Sequence, residues 1–441
     1  MTRWVSIGLA ALVTASPLAA QSAVAIRAGR LVDVEQGRVF RDRLILVRGD
    51  RVEAILPGAS AVPPGATRLD LSGYMVLPGL IDLHSHLIGD IQSADPLAPL
   101  KSSAARDVLL GAANARATLL AGFTTVRDLG AYRAFLDVAL RNAINEGLVP
   151  GPRMAVAGAY VTAPGGGGEV TGDPVRDHVP DEMRFGVVKG PDAVRAKVRA
   201  LLAGGADLIK VIATGAVLTV GTEPGAPELT EAEIRAAVEE AGAHGVFVAA
   251  HAHGAEGVKN AVRAGVRTIE HGSLMDDEAI ALMREHGTYL VADIYNGDYI
   301  ATEGRRAGWP DETLRKNDET TETQRVVFRK AVRAGVKVAF GTDSGVYPHG
   351  WNARQLPYMV RYGMTPMEAV QSATIVAAEA MGWGDRVGSI SRGKFADLIA
   401  VRGDALADVG SLERVGLVMR GGVVVRDDRR VRGRRGIAQR D

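Results

Sequence analysis

The residues most able to do chemistry in this chain are its histidines. Nine occur in 441 residues. Two share the stretch "LPGLIDLHSH" as His84 and His86, two more stand in "VAAHAHG" as His251 and His253, and another in "TIEHGS" as His271. Side chains at i and i+2 of a strand share one face, so an apolar run ending in two such imidazoles offers a preorganised grip on a metal ion. A lone HxH pair is more often two hydrogen-bonded histidines at a strand end. The set changes the balance, because Lys210 in "DLIKVIATG" and Asp343 in "FGTDSG" also belong to separate β-like runs. An ammonium cannot ligate a metal, and burying it beside cations is costly. A lysine whose pKa is depressed by burial can instead add CO₂ and become a carbamate, an anion able to bridge two cations. The alternative is a lysine paired with an acid in the core.

Elements must bring these residues together. From 77 to 385, β-rich runs such as "MVLPGLIDLHSH", "GFTTVRDLG", "RMAVAGAYVT" and "KVAFGTDSG" alternate with Ala-rich helical runs such as "AEIRAAVEEAGAHG". Eight such runs predict a parallel (β/α)₈ TIM barrel, with a doubly wound open sheet as the alternative. Barrel chemistry sits at the C-terminal strand ends, where these polar residues fall. Residues 24–76 and 386–428 read as short strands between turn signals ("RGDR", "PPGA"), predicting a small β-sandwich built from both chain ends. In "APGGGGEVTG", Gly165 and Gly166 open a glycine run after the third strand; it reads as an active-site loop better than as a phosphate cradle.

Composition narrows the function further. The net charge of +1 supplies no field for nucleic acid or an anionic membrane. Cysteine is absent, which removes disulfides, thiolate metal sites and cysteine nucleophiles. Residues 1–23 carry Arg3, a short apolar run and small residues near Ala19, the pattern of a cleavable secretory signal. That run is too short and Ala/Ser-rich for a membrane span, so a secreted or periplasmic protein with no membrane span in its mature form is expected. The basic tail at 429–441 reads as solvated and disordered.

With "PGLIDLHSH", "LIKVIATG", "AAHAHG", "TIEHG", "FGTDSG" and the closing "GSISRGKFADLIAV" in this order, the chain resembles the metal-dependent amidohydrolase superfamily. It is most similar to the imidazolonepropionase-like and Xaa-Pro dipeptidase-like group, which includes ochratoxin-hydrolysing amidases. The resemblance implies that His84, His86 and Asp343 hold one divalent ion, that His251 and His271 hold the other, and that carbamylated Lys210 bridges them. It implies His253 facing the substrate carbonyl or carboxylate and Asp343 as base and then acid; the borderline N/O ligation suits zinc, with manganese, cobalt or nickel as alternatives. It also implies a dipeptide or N-acyl amino acid as the small-molecule substrate, ochratoxin A among the candidates, and common homo-oligomeric assembly. Relatives often carry a "GGHG" loop where this chain has "GGGG" at 165–168, which weakens transfer of their substrate preference. Arg127 in "TVRDLG" is either a partner for a substrate carboxylate or half of an ion pair within the barrel. His178 and His349 lie on loops at the same face, as surface histidines or substrate contacts. Rival readings are a mononuclear zinc deaminase, another cyclic-amide hydrolase, or a non-catalytic scaffold on the same fold.

Overall fold

The computed structural model describes residues 23–89, 95, 97–170 and 179–429. The signal expected over 1–23 lies outside these except for Ala23, the basic tail except for Arg429, and His178 entirely. Both chain ends contribute to one seven-stranded mixed sheet. Its first four strands are β1 (Ala23–Asp33), β2 (Arg38–Arg48), β3 (Arg51–Pro57) and β4 (Thr67–Pro78). A two-residue turn with Gly49 at φ 59° joins β2 to β3, the left-handed geometry that hairpin twist demands. After β3 the chain crosses to the other side of β1, so β4 runs parallel to β1 while the other neighbours are antiparallel. The small β-sandwich expected from both chain ends is thus a single mixed sheet.

The barrel starts where β4 ends. Gly79 makes the joint, since a Cβ there would lie 2.1 Å from Thr124 Oγ1. The strands β5 (Leu80–Ser85), β6 (Phe123–Asp128) and β7 (Arg153–Val156) pair in parallel. So do β8 (Tyr160–Val161), β9 (Ile209–Ile212), β10 (Val248–Gly254), β11 (Thr268–Leu274) and β12 (Tyr289–Val291). Every residue of β5 is buried, as expected for a strand covered on both faces. The third expected strand is broken into β7 and β8 by Gly158 at φ 78°; its first part pairs with β6 and its second with β9. The eighth position, residues 337–344, lacks a regular strand, yet it closes the cylinder. Leu290 N donates to Lys337 O (2.9 Å), Leu83 N to Phe340 O (3.0 Å) and His86 N to Ser344 O (2.8 Å). This closure replaces the open-sheet alternative.

Asp82 staples that seam from inside. Its carboxylate accepts from His84 N, Thr342 N, Thr342 Oγ1 and Asn352 Nδ2, at 2.6 to 3.1 Å. Burial nevertheless pushes the carboxyl up to about 6. Helices such as Glu231–Ala243, opened by a Thr230/Glu233 capping box, cover the outside. The chain then returns to the mixed sheet as β13 (Leu398–Val401), β14 (Val415–Arg420) and β15 (Val423–Asp427), giving the order β15-β14-β13-β4-β1-β2-β3. Among the described residues no helix is long and apolar enough to cross a membrane.

Candidate metal centre at the barrel mouth

The strand ends deliver their polar side chains to one cavity of about 880 Å³, open to solvent. His84, His86, Lys210, His251, His253, His271 and Asp343 all border it. His84 Nε2 and His86 Nε2 lie 3.3 and 3.2 Å from the same oxygen, Asp343 Oδ1. The rings of His251 and His253 each stand 4.5 Å from that of His271. Three sets bring their donor atoms within 4.8 Å of one another: His84, His86 and Asp343; His251, His253 and His271; and His271, Asp293 and Asp343.

Backbone geometry helps to aim these groups. His271 and Asp343 adopt left-handed φ values of 70° and 54°, among only four non-glycine residues that do so in the described chain. Such backbone strain concentrates where a side chain must point against the run of its strand.

The donors fit a divalent cation. His86 Nδ1 donates to Gly130 O at 2.9 Å, and His251 Nε2 donates to Gly215 O at 3.2 Å. His271 Nδ1 donates to Asp293 Oδ1 at 3.0 Å. Each ring is thereby fixed in one tautomer, leaving the opposite nitrogen as the available lone pair. Burial drives the His84 and His251 imidazoles well below their usual range, toward the neutral form that binds metal. Burial raises Asp343, but its electrostatic interaction with the His84 and His86 rings outweighs it and holds the carboxyl at about 2. Lys210 is 2 % exposed, and its Nζ has no hydrogen-bond partner. Burial lowers its ammonium to about 8. An orphaned buried amine among imidazoles and carboxylates is costly unless something else enters the site.

Several expectations are corrected. Arg127 does not face the cavity. It is buried inside the barrel, donating to Leu83 O (2.6 Å), Thr268 Oγ1 (3.1 Å) and Glu270 Oε1 (2.6 Å), so it makes the ion pair within the barrel and does not border the cavity. His349 is half-buried and does not border the cavity. Its Nε2 donates to His86 O at 3.1 Å, and burial lowers the ring to about 4. In the glycine loop, Gly165 is turned to Glu169 and Gly166 stands back from the cavity, whereas Gly167 and Gly168 border it. Glu228 fixes the loop through Gly167 N.

Other residues escaped sequence reading. Asp293 accepts from His271, from Gln324 Nε2 (2.9 Å) and from Asn296 Nδ2 (2.7 Å). It closes the seventh β run in "LVADIY", the same signal that marked the histidines. Glu270 lies beneath the site: its Oε2 stands 3.1 Å from His84 Nδ1 without forming a hydrogen bond, and both atoms lack partners. Tyr160 donates to Gly130 O at 3.0 Å, beside His86.

Known proteins share this fold. The chain is 31% identical over 405 residues to the ochratoxinase of Aspergillus niger, covering 87% of this chain and 82% of that one. A solved Xaa-Pro dipeptidase with methionine bound in its active site superimposes with a TM-score of 0.86 at 39% identity, covering 92% of this chain and all of the other. A solved prolidase carrying N-methylphosphonate-L-proline gives 0.84 at 30% identity, with coverage of 92% and 100%. The model of the Amidohydrolase family matches residues 75–425, which span the barrel and the strands that return to the mixed sheet. The chain belongs to the amidohydrolase family.

Proposed function

We propose that this metal-dependent amidohydrolase works with two divalent ions, most simply zinc, and cleaves the amide of a dipeptide or N-acyl amino acid to release the C-terminal amino acid. The observation that carries the reading is the unpaired Lys210 amine bordering one cavity with five imidazoles and two carboxylates. His84, His86 and Asp343 would hold one ion, and His251 and His271 the other. Lys210 would bridge them once its amine has added CO₂ and lost a proton to become a carbamate. Bound divalent ions supply an activated water and polarise the scissile carbonyl.

The chain's own residues do the rest. Asp343, ionised at neutral pH, accepts the proton of the attacking water and passes it to the leaving amine. Burial and the neighbouring His271 push His253 down to about 3, so its ring is neutral. Its Nδ1 lies 2.8 Å from Ser273 Oγ. With the hydroxyl donating there, Nε2 carries the proton and can hydrogen-bond the carbonyl oxygen as negative charge builds on it. The ochratoxinase and prolidase relatives support an amide that ends in an amino acid. An N-acyl phenylalanine such as ochratoxin A is therefore a specific candidate.

The test measures free amino acid release by mass spectrometry from purified protein before and after chelation, with metal content counted per chain. Activity that falls to background and returns with two ions per chain is expected. Undiminished release after full metal removal, or one ion per active chain, overturns the reading.

A further inference from the structure

The cavity has two unlike sides. One carries the imidazoles, Lys210, Asp293 and Asp343; the other carries Val217, Leu218, Ile300 and Val346. These four belong to a small apolar cluster separate from the barrel core, with Trp309 buried behind them. Val217 and Leu218 are only half-buried, so they keep a face for something else to cover. Among the described residues that border the cavity, Lys210 is the only lysine or arginine, and Asp293 and Asp343 are the only carboxylates; all three lie on the histidine side. Lys316 neighbours this part of the cavity through Thr219, which borders it. It is fully buried, and it is already spent on Thr219 O (2.9 Å) and Glu312.

The apolar side also has a fixed relation to the proposed proton donor. Val346 N donates to Asp343 O at 3.1 Å, so Val346 is one turn from the carboxylate. Ile300 follows by one helical turn Asn296, whose Nδ2 is 3.5 Å from Asp343 Oδ2. Asp343 therefore stands where the two sides meet, and a leaving amine that takes its proton there adjoins the apolar side. We propose that Val217, Leu218, Ile300 and Val346 form the side-chain subsite for the amino acid released on the amine side, and that it selects an uncharged, apolar side chain. This rests on the amide-hydrolase reading above. An ammonium, guanidinium or carboxylate pressed against this wall would lose its hydration with no partner in return, whereas an aliphatic or aromatic side chain gains by leaving water.

The experiment measures kcat/KM on the metal-loaded protein for N-acetyl-leucine, -methionine and -phenylalanine against N-acetyl-arginine, -lysine, -aspartate and -glutamate. Each methylene buried in such a pocket is worth about 10- to 200-fold in selectivity, so the apolar group should lead by about 100-fold or more. Leu218→Asp, at a position where a carboxylate can still reach water, should cut the apolar rates about tenfold or more and raise the arginine derivative. Val217→Asp serves as the second variant if the first does not fold. Calorimetry gives a readout apart from turnover: free leucine should bind the wild type and bind the variant more weakly. Charged substrates within tenfold of the apolar ones, or an unchanged order in the folded variant, overturn the subsite and leave the amide reading intact. Absence of release from every member overturns the amide reading and the subsite with it.

Discussion

Two of the arginine–carboxylate pairs, Arg153–Asp397 and Arg127–Glu270, differ in what they leave open. At the junction of barrel and mixed sheet, Arg153 meets Asp397 through Nε and Nη2, at 2.9 and 3.3 Å. Gly421 N adds a third hydrogen bond to the carboxylate at 2.6 Å. Both carboxylate oxygens are taken, and the guanidinium lies 3.4 Å over the Phe395 ring. Inside the barrel, Arg127 meets Glu270 through one oxygen only. The other, Oε2, has no hydrogen bond and faces His84 Nδ1, while Lys210 Nζ is equally unpaired. A saturated pair holds two parts of a fold together. A buried pair with an open oxygen leaves a charge for a neighbour: here Oε2 stands 3.1 Å from Nδ1 of His84, whose Nε2 adjoins Asp343.

The contrast predicts effects of different kinds. The largest is expected at the mouth: Asp343→Asn keeps the shape but loses the proton acceptor, and kcat should fall about 100- to 10,000-fold. Thermal melting of the metal-free protein should barely move, and a retained kcat would remove Asp343 from the reaction. At the junction the signs reverse. Asp397→Asn leaves Arg153 without its counter-charge, and because Arg153 is partly exposed the loss should be about 2–3 kcal/mol of stability. Urea unfolding reads this directly, and KM should stay as in the wild type. Between the two lies Glu270→Gln, which keeps the shape below His84 but removes the charge. Metal affinity should fall about 10- to 100-fold, measured by competition with a chelating dye. Unchanged affinity would mean that Glu270 serves Arg127 alone.

How much of this could be read in advance follows the same divide between strand ends and everything else. His84, His86, His251, His253, His271, Lys210 and Asp343 were legible because each polar residue interrupts an apolar run, and a barrel sends such interruptions to one face. Asp293 carried the same mark. Glu270 did not, because in a regular strand it would face away from its neighbour His271. The left-handed φ of His271 breaks that alternation, and nothing in the local residue pattern announces it. Arg127 was legible as a buried or substrate-binding cation but not as which, since its partners Thr268 and Glu270 lie far along the chain. His349 and the glycine loop depended on the paths of irregular segments. The fold was legible from alternation, but the break at Gly158 and the irregular eighth position were not. There a single positive φ and pairing by scattered hydrogen bonds replace a continuous strand.

The smallest expected effect concerns the open cluster around Lys210 and is a matter of pH. CO₂ adds to the neutral amine, and burial lowers the ammonium from its ordinary value of 10.5 to about 8. With that pKa, roughly a tenth of the amine is free at pH 7, about half at pH 8 and nearly all at pH 9. Reactivation of metal-free protein by metal at a fixed concentration of dissolved CO₂ should therefore speed up about tenfold between pH 7 and pH 9, then level off. An ordinary exposed lysine would keep accelerating beyond pH 10. The stability of the metal-free fold carries the same signature. The folded pKa is below the unfolded one, so between about 8 and 10.5 the unfolded chain binds the extra proton. The cost of burying the charged amine is thus complete below about pH 8 and is relieved as pH rises through that window. Lys210→Met should abolish both the reactivation profile and this rise in stability, whereas Asp397→Asn should leave both in place. A reactivation rate that climbs steadily past pH 10 would show that the burial of Lys210 does not prepare it for carbamylation.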